Sequence, residues 1–189
     1  MNDLFSQSCS LILEELRESV SRISGEQVFQ LLDAIRTAGK ILVVGAGRMG
    51  IVLSAFCMRL NHLGFPSFIV GSTNCPPVGE RDLLLVASSS GETPTIREIV
   101  LKAREHRAQI AVITAAPGST IAAMATFVVH VQAPSSIADA SHGPLPSRQP
   151  MKTLFEQTLF LSLEAMVLTL MQQTGQTASS LARRHANLE

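Results

Sequence analysis

Two turns in this chain hold the residue types that grip an anion. Ser88-Ser89-Ser90-Gly91-Glu92-Thr93-Pro94 puts hydroxyls at Ser88, Ser90 and Thr93 next to the backbone N–H groups of a helix that the pattern predicts to open at Pro94. A helix N-terminus offers unsatisfied donors and the positive end of the macrodipole, enough to hold a phosphate dianion without a lysine. The other reading of these serines is a plain helix cap. The second turn, Gly45-Ala46-Gly47-Arg48-Met49-Gly50, has the form GxGxxG. A dinucleotide site needs an acidic residue to hold the ribose at the end of the next strand, but that strand runs into Gly71-Ser72-Thr73. The glycines therefore read either as a weak nucleotide signal or as a tight turn packed against a sheet.

Both turns need a strand behind them and a helix in front. Ile41-Leu42-Val43-Val44 is short, β-branched and apolar on both faces, the pattern of a central parallel strand. Similar runs follow at Phe68 to Val70, Leu83 to Val86, Ile110 to Ile113 and Phe127 to Val129. Helical stretches alternate with them, Gly50 to Leu63 closed by Gly64 and Pro94 to His106 with Thr93 as N-cap and Pro94 in the first turn. This alternation predicts an α/β fold with a parallel sheet. Two helices precede it. Leu4, Phe5, Ile12, Leu13, Leu16 and Val20 mark an amphipathic opening helix. A second starts at Ser24, with Gln27 at capping-box spacing, Ile23 and Val28 as a hydrophobic staple, and Gly39 as the stop. From Pro134 to Pro150 the chain is rich in Pro, Ser, Gly and Asp, hence a connecting loop. Met151 to Gln172 is then a long helix, apolar around so much of its circumference that part of it is expected at a subunit interface. The stretch from Thr177 to Glu189 is short and polar.

Bulk composition narrows the classes. A chain of 189 residues suits one domain, with N-terminal helices over about 1–38 and C-terminal helices over about 150–189 packed on the sheet and at subunit contacts. Lys+Arg and Asp+Glu are both 15, so overall charge points to no nucleic-acid or anionic-membrane partner. Cys9, Cys57 and Cys75 form no CxxC pair and have no histidines at ligand spacing; they read as buried thiols in a reducing compartment, with no metal. The N-terminus lacks the basic flank and apolar core of a signal peptide, and the longest apolar stretches are expected to fall short of a membrane span. At 46% hydrophobic and 16% charged, the chain reads as one copy of a homo-oligomer.

Ser88-Ser89-Ser90-Gly91-Glu92-Thr93 resembles the phosphate loop of sugar isomerase (SIS) domains, and Gly45-Ala46-Gly47-Arg48 resembles their first loop. Within that superfamily the chain is similar to the 6-phospho-3-hexuloisomerases through Met58 to Gly64, Gln149-Pro150-Met151, Leu154-Phe155-Glu156-Gln157 and the terminal Arg184-His185-Ala186-Asn187-Leu188-Glu189. The resemblance implies a three-layer α-β-α sandwich around a five-stranded parallel sheet. It also implies a cytoplasmic homotetramer with no cofactor and no metal, and conversion of 3-hexulose 6-phosphate to fructose 6-phosphate in the ribulose monophosphate pathway. Gly47, Arg48, Ser88, Ser89, Ser90 and Thr93 are then the substrate-binding residues. The chain departs from its relatives at Met49, where they usually carry serine, and at Ser89 and Lys152, where they often carry glycine.

Moving a carbonyl from C3 to C2 requires taking the C2 proton and returning it to C3, which one base can do through a cis-enediolate. Glu156 is the leading base, a charged residue in an apolar helix start, with a structural ion pair as its competing role and Glu164 as the comparison carboxylate. His185 is the candidate proton relay between the two oxygens, reaching another subunit's site; otherwise it is a surface histidine on a polar tail. His62 reads as structural, and His106, His130 and His142 have no assignable partner. Because O6 is esterified, a 3-ketose cannot close a five-membered ring through it, so no ring-opening acid is required. Competing functions are another phosphosugar aldose-ketose isomerase, a non-catalytic sugar-phosphate sensor, and a nucleotide-dependent oxidoreductase.

Overall fold

The five apolar runs become five strands of one all-parallel sheet in the order β2-β1-β3-β4-β5. In the computed structural model, which describes residues 2–135 and 145–188, these are β1 (Ile41–Gly45), β2 (Ser67–Ile69), β3 (Leu83–Ala87), β4 (Gln109–Thr114) and β5 (Phe127–His130). The helices are α1 (Asn2–Ser21), α2 (Gly25–Thr37), α3 (Arg48–Leu63), α4 (Pro94–Glu105), α5 (Thr120–Ala123), α6 (Thr153–Gln173) and α7 (Ala178–Ala182). The expected loop from Pro134 to Pro150 contains 136–144, and with them His142, which lie outside the described residues, as does Glu189.

Successive strand side chains point to opposite faces, and here both faces are covered. Ile41, Val43, Leu83, Leu85, Ala111 and Ile113 enter the core shared with α2, α3 and α6. Leu42, Val44, Leu84, Val86, Ile110 and Val112 enter a second core under α4 and α5. Burial on both sides explains why the strands read as unbroken apolar runs. α1 lies outermost, packed on α6, and α7 packs on α3.

The local signals act as their chemistry dictates, with two differences. Gly64 ends α3 in the left-handed conformation at φ 91°, and its N–H reaches the last-turn carbonyls. Ser24 caps α2 by accepting from the Gln27 N–H, but the Gln27 side chain does not return the bond; its Oε1 accepts from the His130 N–H instead, tying α2 to β5. Gly39 is not the stop either, since α2 ends at Thr37 with Ala38 in extended conformation.

Two further expectations change. α6 is long and apolar enough to cross a membrane by length and composition, contrary to the expectation that every apolar stretch falls short. It is the core helix: Leu154, Phe155, Leu159, Leu163, Met166 and Leu170 are buried, while Phe160, Leu161 and Leu168 stand exposed. Of the three free thiols only Cys57 is buried, and that burial, with Cys75 nearby, pushes it up to about 11.

Candidate active site at the carboxyl edge of the sheet

Gly45 pairs with Ala87, so the turns that follow β1 and β3 leave the sheet side by side. They then part, since α3 covers one face and α4 the other. This is the topological switch point of the sheet, where the diverging helices open a crevice beyond the strand ends.

In the first turn the glycines are set by packing. A Cβ on Gly50 would lie 2.6 Å from the Gly45 carbonyl oxygen, and Gly47 holds φ 58° at the N-cap of α3. The GxGxxG spacing is thus explained by a close strand-to-helix approach. Gly47 offers no side chain to cap α3, and the first helical residue, Arg48, turns toward α6.

In the second turn the hydroxyls divide. Ser88 and Ser89 are buried. Ser88 Oγ accepts from the Gly91 N–H at 3.1 Å and lies 3.3 Å from Thr93 Oγ1. Ser89 Oγ donates to the Ser135 carbonyl at 3.2 Å, and its own carbonyl accepts from Thr114 Oγ1 and the Ala115 N–H. These two serines hold the loop in shape; the Ser89 hydroxyl, expected to bind substrate, is turned inward and occupied. Ser90 and Thr93 are half-buried. Thr93 is the N-cap of α4, yet its side chain makes no capping bond, so the first turn of the helix keeps donors for a ligand. Gly91 sits at φ 64°, where a Cβ would fall 1.8 Å from Ser119 Oγ. Glu92 faces away from this role: its carboxylate accepts from the Thr120 N–H at 2.6 Å, capping α5, and that bond lowers its pKa.

Glu156 lies in the first turn of α6 and is only 9% exposed. Arg48 Nε donates to its Oε2. The Arg48 side chain is 67% exposed, so the pair is open to water on the arginine side. Both residues line a cleft of about 570 Å³ with Leu13 and Leu16 of α1, Ile51 and Val52 of α3, and Gln157 and Phe160 of α6. Lys152, one turn before Glu156, makes no ion pair among the described residues; the cation at the carboxylate comes from α3 instead. Gln157 Oε1 is buried without a hydrogen-bond partner. The pairing of Arg48 with Glu156 escaped sequence reading, because only the packing of α3 on α6 brings the two together.

The chain belongs to the SIS domain family. The SIS domain model matches residues 34–161, which include both turns and Glu156. The chain is 40% identical over 178 residues to the 3-hexulose-6-phosphate isomerase of Bacillus subtilis, covering 94% of this chain and 95% of the relative. It is 38% identical over 189 residues to that of Mycobacterium gastri, covering 100% and 94%. A crystal structure from Methanococcus jannaschii, for which a 3-hexulose-6-phosphate isomerase function was inferred, superposes with a TM-score of 0.82 at 26% identity, covering 97% and 99%. Within the SIS domains the chain is therefore a member of the 6-phospho-3-hexuloisomerase family.

His185 stands apart from the other site residues of this SIS domain. Its ring lies 5.1 Å from that of buried His62, at the far end of α3. Arg48 and His62 are separated by about 21 Å of helix. Arg184 fastens the tail there by donating to the His62 carbonyl at 3.0 Å. Within one chain the structure brings together Gly47, Arg48 and Glu156 at the edge that also carries Ser88 to Thr93, and leaves His185 at the opposite edge. Among the described residues no group of three or more His, Cys, Asp or Glu side chains is placed to hold a metal.

Proposed function

We infer that the chain is a 3-hexulose-6-phosphate isomerase, interconverting 3-hexulose 6-phosphate and fructose 6-phosphate through a cis-enediolate. The observation that carries the reading is the Glu156 carboxylate, set in a cleft between α1, α3 and α6 and held by Arg48 from the turn after β1. The Ser90 and Thr93 hydroxyls and the uncapped start of α4 take the phosphate, remote from the reacting carbons. Glu156 removes the C2 proton as the C3 carbonyl becomes an enediolate oxygen; it then delivers the proton to C3 as the C2 carbonyl forms, with the O2 hydroxyl proton passing to O3 through the His185 relay. Arg48 lies beside the carboxylate, where a guanidinium also stabilises developing oxyanion charge.

The exposed apolar residues of α6 and the remoteness of His185 support a shared-site homo-oligomer in which His185 of one copy serves the site of another; the family resemblance is what makes it a tetramer. The names of the relatives support a place in the ribulose monophosphate pathway, and the free thiols of Cys9, Cys57 and Cys75 support a reducing, cytoplasmic setting. The test is a product assay. Purified protein given 3-hexulose 6-phosphate should yield fructose 6-phosphate without added metal or nucleotide; absence of product, with binding retained, would point to a sensor.

A further inference from the structure

Glu15 lies on α1, outside both turns and outside the segments that carry the family resemblance. Its carboxylate accepts three hydrogen bonds from one short stretch: Ser147 Oγ at 2.6 Å, the Arg148 N–H at 2.8 Å and Gln149 Nε2 at 2.9 Å. Ser147 Oγ in turn accepts from the Gln149 N–H at 3.0 Å. That stretch leads directly into α6, whose start is also tied by the Thr153 N–H and Oγ1 to the Pro150 carbonyl at 3.2 and 2.7 Å. Lys152 is its N-cap and makes no side-chain capping bond, and Met151, immediately before it, has φ 59°. A methionine in that region is held only where its surroundings demand it. The demand comes from Glu15 on one side of Met151 and from the buried Leu154 and Phe155 on the other.

We propose that Glu15 is a positioning residue for the isomerase reaction, clamping 147–149 so that the first turn of α6 presents Glu156 to the substrate. This rests on Glu156 being the base. Burial alone would raise the Glu15 pKa, but the hydrogen bonds from Ser147, Arg148 and Gln149 outweigh it and leave the carboxyl below its ordinary value, as a clamp built on the charged form requires. A carboxamide cannot replace it, because its NH2 would face donors. A displacement of the base by about 1 Å is enough to cost on the order of 100-fold in rate.

The experiment is a double-mutant cycle with Glu15→Gln and Glu156→Gln, reading kcat, KM and inhibition by inorganic phosphate. Glu15→Gln should lower kcat by about 10- to 100-fold while phosphate inhibits as in wild type, and should cause little further loss in the Glu156→Gln background. Ser147→Ala, which removes one bond of the clamp, should show a smaller loss of the same kind and decides the question should Glu15→Gln not fold. A wild-type kcat for whichever of the two variants folds, or a loss that recurs in full in the Glu156→Gln background, overturns the proposal. If Glu156→Gln is itself fully active, the base assignment fails instead.

Discussion

Arg48 and Glu156 are 108 residues apart in the chain, yet each occupies the first turn of its helix and the guanidinium Nε donates to the carboxylate. The contact joins the turn after β1 to the helix that follows the last strand. It exists because α3 and α6 lie against each other in one core, with Leu53, Phe56 and Leu60 of α3 and Leu159 and Leu163 of α6 all buried.

Arg48→Ala removes a charge-assisted hydrogen bond, an interaction of about 1.5–3 kcal/mol, and should lower kcat/KM. Because the arginine is largely exposed, the loss should be nearer tenfold than hundredfold. Arg48→Lys keeps the charge without the planar fork and should recover only part of it. Steady-state kinetics on the two variants checks the order wild type, Lys, Ala.

The second turn separates binding from shape. Ser90→Ala and Thr93→Val should raise KM more than they lower kcat, with inorganic phosphate competing in wild type and less well in the variants; each lost bond to phosphate should cost about 1.5–3 kcal/mol. Gly91→Ala should do worse. Its Cβ meets Ser119 and its φ is 64°, so overpacking of about 1–3 kcal/mol adds to left-handed strain. Thermal melting should place Gly91→Ala several degrees below wild type and the serine and threonine variants close to it.

The strands, the order of elements and the two turns were legible in the sequence, because a doubly buried strand leaves an unbroken apolar run and a helix start leaves Thr-Pro. α5 was missed: four residues, Thr120 to Ala123, are too few to show a period. The site was legible by residue type but not by partner. Lys152 is the nearest cation to Glu156 along its helix, yet Arg48 from another helix takes the carboxylate. Ser89 reads like its neighbours in sequence, and only the adjoining chain at Ser135 turns it inward.

The tail should come loose in acid. Burial first, then His185 and Arg59, push the His62 pKa below its ordinary value. The charged and titratable groups around it are Arg59 on α3, Glu164 on α6, and Arg184 and His185 on the tail. A histidine depressed on folding binds fewer protons folded than unfolded. Its contribution is therefore complete above the unfolded value near pH 6.5 and is lost as pH falls through the folded value. Between about pH 7 and pH 5 the melting temperature of wild type should drop more steeply than that of His62→Asn. Equal slopes would mean that His62 does not couple folding to protons.

Glu156→Gln decides the catalytic assignment. Glutamine keeps the size of the side chain and an acceptor for Arg48, so the variant should fold and bind substrate with similar KM, but it cannot accept the C2 proton. kcat should fall by about 10²–10⁴-fold. Glu164 is the control, on the same helix but two turns farther on, 3.8 Å from Arg59 and lining the cavity that holds His62 and His185. Glu164→Gln should leave kcat close to wild type. Product formed in deuterated water should carry solvent label at C3, because the carboxyl that took the C2 proton exchanges with solvent before returning one to C3. Any shortfall from full labelling measures how often the original proton is returned. If Glu156→Gln kept most of its activity while Glu164→Gln lost it, the base would lie midway along α6, in the cavity that holds His62 and His185.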